Sequence, residues 1–427
     1  MEKKEYKFET LQVRAGQEID PVSKGTAVPI YQSTAYTFDS MEYGAELFEL
    51  KRPGNIYTRI TNTTNEVFEK RMAALEGGVA AVSTASGQSA VFLSITNICG
   101  RGDNIVAQPF LYGGTFTMFA ITLRDMGIEV RFAKSDHVSD LEALVDGRTK
   151  ALFLENIGNP AFNIPDYEPI VEMARRKGIC VMVDNTFGMG GYLFRPFEWG
   201  CNVSVHSATK WICGHGTALG GVVVDGGNFD WTPEKYPLLA APSESYHGLI
   251  YKEVFGDAAF AGRVRVDGLR NIGPAASPFN SFLMLQGLED SAVLVELVAA
   301  LHLALGHDAL QQPVSHIPAG VPVKQGAEDR HEGHHHHPGQ LRRGVQVRIE
   351  HHQHRTHGQR QAAAHHMGLP LLEPDHHRDQ KPRLQKKQQS HQARPAENRP
   401  PQAVFAFLYQ SFLVDRQWGP LLCLDIV

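Results

Sequence analysis

The chain has 427 residues, of which 42% are apolar and 20% charged, with a formal net charge of −5. That length suits two domains, or one large α/β domain with a smaller partner, and the composition is that of an ordinary soluble protein. The charge offers no general attraction to nucleic acid or to an anionic membrane, and the five scattered cysteines form no CxxC pair, which argues against a disulfide framework or a zinc site.

In chain order, the opening "MEKKEYKFET" lacks the apolar core of a secretory signal, so a cytoplasmic location is expected. The first 61 residues show little periodicity and read as an extended arm. A helical spacing begins at about Asn62, with Val67, Phe68, Met72 and Leu75 on one face, and stops at Gly77-Gly78. Short apolar runs then alternate with helical segments. "VAAVST" precedes "SGQSAVFLSITNIC", "DNIVAQ" precedes "GTFTMFAITLRDMG", "IEVRFA" precedes "VSDLEALVDG", "KALFLEN" precedes "YEPIVEMARRKG", and "CVMVDN" runs into a loop. Alternation of this kind predicts an α/β domain around a mostly parallel sheet. The apolar stretch from Ser291 to Leu305 is short of the ~20 residues a spanning helix needs and contains Glu296 and His302, so an amphipathic or buried helix is expected there, not a membrane span.

Ligands of such sheets sit beyond the C-terminal strand ends, which gives three places to look. After "VAAVST", the small residues around Ser86-Gly87-Gln88 open a helix. Their N–H groups suit a phosphate, although a tight turn needs no ligand. The run "CVMVDN" ends in Asp184, either a helix cap or the partner of a buried cation. After "VSVHS" come Ser207, Thr209 and Lys210, two hydroxyls and an amine. A phosphate, a cationic ring nitrogen and an aldehyde would occupy the three places, and pyridoxal 5'-phosphate carries all three groups.

The segments "NIYTRITNTTNEVFEKRMAALEGG", "ASGQSA", "YGGT", "ENIGNP", "VDNTFG", "HSATKWICGHGT", "GGVVVDGGNFDW" and "SPFNSFLMLQGLE" resemble the Cys/Met-metabolism group of fold-type I pyridoxal-phosphate enzymes. Within that group they are most similar to the O-acetylhomoserine sulfhydrylases. The resemblance spans about Glu9 to Glu289 and implies the aspartate-aminotransferase-like fold. It divides the chain into an arm contributed to the neighbouring subunit (1–61), a large cofactor domain (62–262), the start of a C-terminal domain (263–310) and a tail (311–427).

It also implies roles. Lys210 would be the Schiff-base lysine and proton carrier, Asp184 the partner of the pyridinium nitrogen, and Tyr112 the residue stacked on the ring. Gly87, Gln88, Ser207 and Thr209 would hold the phosphate, and Asn159 the ring hydroxyl, with Glu155 nearby. Tyr57 and Arg59 would reach the phosphate of a neighbouring subunit, making the protein a homodimer or homotetramer with shared sites. The implied reaction joins O-acetyl-L-homoserine and sulfide into L-homocysteine and acetate. The alternatives are a γ-lyase or γ-synthase of the same family, or a coenzyme-binding protein impaired in turnover. No metal, nucleic acid or membrane is expected as a partner.

The sequence also departs from the family pattern. Asn156 stands where serine is usual, and Cys213 and Ala218 replace a glycine and a threonine. Beyond Glu289 the family's substrate-clamping arginine segment is not found. Of the 21 histidines, 17 lie beyond residue 300, in a stretch rich in His, Gln, Arg and Pro. Such a composition is expected to be disordered, either as a low-complexity or metal-binding tract or as the product of a shifted reading frame, the last being preferred. A nicotinamide fingerprint at Gly214, Gly216 and Gly220 is rejected because the spacing is GxGxxxG, one residue too long.

Overall fold

In the computed structural model, residues 6–292 are described. The expectations placed beyond residue 292, including the histidine-rich tail and most of the apolar stretch that starts at Ser291, lie outside the described residues. The centre of the fold is a seven-stranded sheet of β1 (Ala80–Thr84), β2 (Asn104–Ala107), β3 (Glu129–Phe132), β4 (Thr149–Glu155), β5 (Cys180–Asp184), β6 (Val203–His206) and β7 (Gly221–Asp225). Their spatial order is β1-β7-β6-β5-β4-β2-β3. All neighbours pair in parallel except β7, which runs antiparallel to both β1 and β6. The tips of β1, β4, β5 and β6 therefore emerge along one edge.

Successive residues of a strand point to opposite faces, and both faces of this sheet are covered. Ile105, Phe153, Met182, Val203, Val205 and Val223 belong to one buried cluster with Phe119 and Phe260. Val106, Leu152, Leu154, Val181 and Val183 belong to a second, with Ile170 and Met173. Burial on both faces explains why these runs read as continuously apolar.

The helices are α1 (Phe8–Arg14), α2 (Met41–Phe48), α3 (Thr63–Glu76), α4 (Gly87–Thr96), α5 (Gly113–Thr117), α6 (Val138–Glu142) and α7 (Tyr167–Lys177), followed by shorter turns. The helix expected from Asn62 is α3. The Asn62 side chain caps it by accepting from Thr64 N and Asn65 N, and Gly77 ends it in the left-handed region at φ 81°. In α7 the buried Tyr167, Ile170, Val171, Met173 and Ala174 form the apolar stripe, and Gly178 at φ 59° terminates it. The arm expected over 1–61 carries two short helices. Within the first, Gln12 is buried and donates to the Glu289 carbonyl at 2.8 Å.

Residues 278–292 are helical where described. Met284, Leu285 and Leu288 of this segment pack with Phe68, Met72, Ile212 and Val222. A Cβ on Gly287 would overlap the carbonyl oxygens of Ile212 and Cys213, so this glycine lets the segment lie directly on the turn that follows Lys210. Arg71, its guanidinium fully buried, reaches Glu289 at 3.1 Å and secures the same segment to α3.

Candidate functional site

Four strand tips build the site. At the tip of β1, Ser86 caps α4 by accepting from Ser89 N at 3.2 Å. The helical ladder begins only with Ala90 N to Ser86 O at 3.1 Å, so the amides of Gly87 and Gln88 have no partner within the helix. Gly87 is required by the close approach of a neighbour: a Cβ there would stand 2.6 Å from the Ser207 Cβ. The glycine thus brings the first loop against the turn after β6. On the other side, Gly221 begins β7, and a Cβ there would overlap the Ser86 carbonyl. The pair Gly220-Gly221 lets the antiparallel strand start between the Ser86 carbonyl and the Met284 side chain.

The turn after β6 carries Ser207, Thr209 and Lys210. It closes through Lys210 N to Ser207 O at 3.1 Å, Cys213 N to Ala208 O at 2.8 Å and Gly214 N to Lys210 O at 2.9 Å. Thr209 Oγ1 accepts from Gly220 N at 3.0 Å and donates to Gly220 O at 3.1 Å, holding the turn to the start of β7. Lys210 is partly buried, and that burial lowers its ammonium below the ordinary lysine value. Cys213, a small buried thiol, lies 3.6 Å from Thr217 Oγ1.

Asp184 ends β5, in register with Val205 of β6 and Glu155 of β4. Its Oδ1 accepts from both the Thr186 hydroxyl, at 2.6 Å, and Thr186 N, at 3.0 Å. Burial raises its carboxyl above the usual range, while the two Thr186 bonds and the nearby His206 oppose the rise. The Thr186 hydroxyl also accepts from Ser207 N at 2.8 Å. One hydroxyl therefore joins the acid of the β5 tip to the serine of the β6 tip. The sequence reading did not include Thr186, although an Asp-x-Thr spacing at a strand end is the pattern of a local side-chain turn.

Glu155 is 4% exposed and accepts from Tyr112 N at 2.7 Å through one oxygen and from Asn159 N at 3.1 Å through the other. Burial, then the adjacent Asp184 charge, hold its carboxyl well above the usual range. Tyr112 precedes α5 at its N-cap position and is 38% exposed, and a Cβ on Gly114 would come within 2.7 Å of its ring. Gln88 Nε2 donates to Thr115 Oγ1 at 3.0 Å, linking the first loop to the tyrosine loop.

The structure thus brings Gly87, Gln88, Ser207, Thr209, Lys210, Asp184, Tyr112, Asn159 and Glu155 to one edge of the sheet. Tyr57 and Arg59 are placed differently. The Arg59 guanidinium lies over the Tyr57 ring at 5.3 Å and donates to the Arg270 carbonyl.

The residues present fit pyridoxal phosphate. Two helix-opening amides meet a serine turn at van der Waals distance, and an acid whose first oxygen is occupied by Thr186 leaves its second for a ring nitrogen. The turn after β6 that carries the serine also carries Lys210, an amine of lowered basicity. The site contains no cluster of metal-binding side chains among the described residues.

Comparison with known proteins agrees with this geometry. Residues 9–301 match the family described as Cys/Met metabolism PLP-dependent enzyme. The chain is 51% identical over 308 residues to O-acetyl-L-homoserine sulfhydrylase 1 of Thermus thermophilus, covering 72% of this chain and 73% of that protein. It is 53% identical over 285 residues to the homocysteine/cysteine synthase of Kluyveromyces lactis, covering 66% and 64%. The chain thus spans about two thirds of the length of the curated relatives it matches. A solved structure of a putative O-acetylhomoserine (thiol)-lyase from Campylobacter jejuni, with N'-pyridoxyl-lysine-5'-monophosphate at its position 205, superposes with a TM-score of 0.68 at 35% identity, over 72% of this chain and 76% of that one. The fold is therefore that of the fold-type I enzymes, and the chain belongs to the Cys/Met-metabolism family of enzymes dependent on pyridoxal 5'-phosphate.

Proposed function

We propose that the chain performs the γ-replacement reaction that turns O-acetyl-L-homoserine and sulfide into L-homocysteine and acetate. The names and identities of its relatives support that substrate pair. The observation that carries the chemistry is the Thr186 hydroxyl, which ties Asp184 to Ser207 and so fixes the spacing between an acid and a phosphate-sized cradle.

In this reading Lys210 holds the coenzyme aldehyde. The Gly87 and Gln88 amides, Ser207 and Thr209 hold the phosphate, Thr209 exchanging its bond to the Gly220 carbonyl for one to the ligand. Asp184 holds the protonated ring nitrogen, Tyr112 covers the ring, and Asn159 meets its hydroxyl. Bound in this way, the coenzyme supplies an electron sink for the negative charge left when the substrate's α-proton departs. Lys210 would be the base that takes that proton, and its lowered basicity puts its operating range nearer neutral pH. Asp184 acts mostly in the transition state, because its contact with the ring strengthens as charge develops. Removal of a β-proton then lets acetate leave the γ-carbon, sulfide adds at that carbon, and the return of one proton to the β-carbon and one to the α-carbon completes the balance.

Tyr57 and Arg59, engaged with each other and with the Arg270 carbonyl in their own chain, are proposed to serve a second subunit's phosphate, making the active unit a homodimer or a pair of dimers. A cytoplasmic location belongs to the same reading and suits the buried free thiols.

The test is to incubate the purified full chain with the coenzyme, O-acetylhomoserine and sulfide. Homocysteine and acetate in equal amounts, with visible absorbance and borohydride labelling of Lys210, are the expected result. A colourless preparation with no label at Lys210 would overturn the reading. Cystathionine formation when cysteine replaces sulfide would point instead to a γ-synthase.

A further inference from the structure

The carboxylate of Glu155 stands between two loops that carry proposed coenzyme contacts, and nothing in the proposed reaction uses it. It accepts one backbone N–H from the tyrosine loop and one from the asparagine loop, each on a separate oxygen. Among the described residues, no cation pairs with it. Burying an acid with only amide donors is costly, and the cost is greater here because Asp184 is its register partner on β5. An amide side chain of the same length has one acceptor oxygen and would turn an NH2 group toward one of the two N–H donors. A residue needed only to fill space at this strand tip would not require two acceptors.

We infer that Glu155 is a positioning residue. It ties Tyr112 and Asn159 to the tip of β4 with one carboxylate, and it adds a second negative charge behind Asp184 that favours a cationic ring in the site. The inference rests on the coenzyme reading above and extends it. The titratable groups facing Glu155 are Asp184 from β5 and Tyr167 from α7, with His206 of β6 beyond Asp184. Burial and the Asp184 charge favour a neutral Glu155 in the coenzyme-free protein. A bound pyridinium would favour the ionised acid, so the doubly accepting form of the clamp tightens as the coenzyme enters.

The experiment compares the parent full chain with Glu155→Gln. Coenzyme affinity is measured by fluorescence titration of the coenzyme-free proteins, the absorbance of the lysine-bound coenzyme is followed against pH, and kcat and KM are determined separately. The variant is expected to bind coenzyme at least about tenfold more weakly and to shift the midpoint of the absorbance titration downward, because a negative charge has been lost. It should also lose about ten- to a hundredfold in kcat with KM little changed. Equal affinity and an unshifted midpoint would overturn the inference even if the variant melted at a lower temperature.

Should Glu155→Gln fail to fold, Tyr112→Ala and Tyr112→Pro provide a second route. Both lose the ring, but only the proline loses the N–H that Glu155 accepts, and the Tyr112 φ of −49° suits a proline. The proline variant is expected to bind coenzyme about tenfold more weakly than the alanine variant, and equal binding would overturn the inference. A parent chain that cannot be labelled at Lys210 removes the coenzyme reading and this inference together. A labelled parent matched by its Glu155→Gln variant removes the inference alone.

Discussion

Around the loop joining β1 to α4, the contacts are made by backbone and by small side chains: Gly87 against Ser207, Gly221 against Ser86, Thr209 with Gly220. Around the tips of β4 and β5 they are made by two carboxylates, the buried Glu155 and the half-buried Asp184, each accepting two N–H or O–H donors. The first region depends on close fit, so an added methyl group should harm it while a change of charge elsewhere leaves it intact. The second depends on charge, so an isosteric amide should harm it while its packing survives. Thr186 belongs to both, because its one hydroxyl serves the acid and the serine turn.

Substitutions can test this division in order of expected effect. Asp184→Asn keeps the volume and removes the charge. Turnover is expected to fall by about 10²- to 10³-fold in steady-state assays, with a much smaller change in melting temperature. Gly87→Ala does the reverse. With its Cβ 2.6 Å from the Ser207 Cβ, the loop has to move, and coenzyme affinity measured by titration should fall about tenfold or more.

Thr186→Val should show both signatures more weakly. Leaving the Ser207 N–H unpaired costs about 1–3 kcal/mol, which thermal melting would detect. The Thr186 hydroxyl bond helps hold the Asp184 carboxyl down, so its loss raises that pKa, while the backbone N–H bond of residue 186 remains. Because the ionised acid is the working form, the low-pH limb of the activity profile should move to higher pH. An unmoved limb would separate Thr186 from the acid's function.

Asp225→Asn is the control. Asp225 is a buried acid at the far end of β7 that accepts from Ala261 N and Gly227 N, and burial pushes its carboxyl up to about 6. A raised folded-state value means that ionisation disfavours the fold increasingly from about pH 4 through about pH 6 and by a constant amount above. The stability of the variant relative to the parent should therefore rise across that window, by at most about 3 kcal/mol, as followed by melting against pH. Coenzyme affinity should be unchanged, because this acid lies away from the site.

Strand and helix positions were largely legible in the sequence because each apolar run ends at a cap, a glycine or a polar tip, as at Asn62, Gly77 and Gly178. The placement of Ser86-Gly87, Asp184 and Lys210 was legible for the same reason, since parallel strands deliver their C-terminal residues to one edge. The direction of β7 was not. An antiparallel strand covered on both faces has the same composition as a parallel one, and only Gly220-Gly221 hints that its start is crowded. The Glu155 clamp was hidden because its partners are backbone amides, which every residue but proline carries. The placement of Arg59 depends on Tyr57 and Arg270, a contact spanning 211 positions that no local pattern reveals.

Gly287 places a late part of the polypeptide beneath an early one. The carbonyls of Ile212 and Cys213 rest against a residue synthesised 75 and 74 positions later, so the lysine turn lacks its backstop while the nascent chain is still short of that glycine. Coenzyme capture should therefore follow docking of the 278–292 segment during biogenesis, and the reactive amine would be set in place only after that segment has left the ribosome.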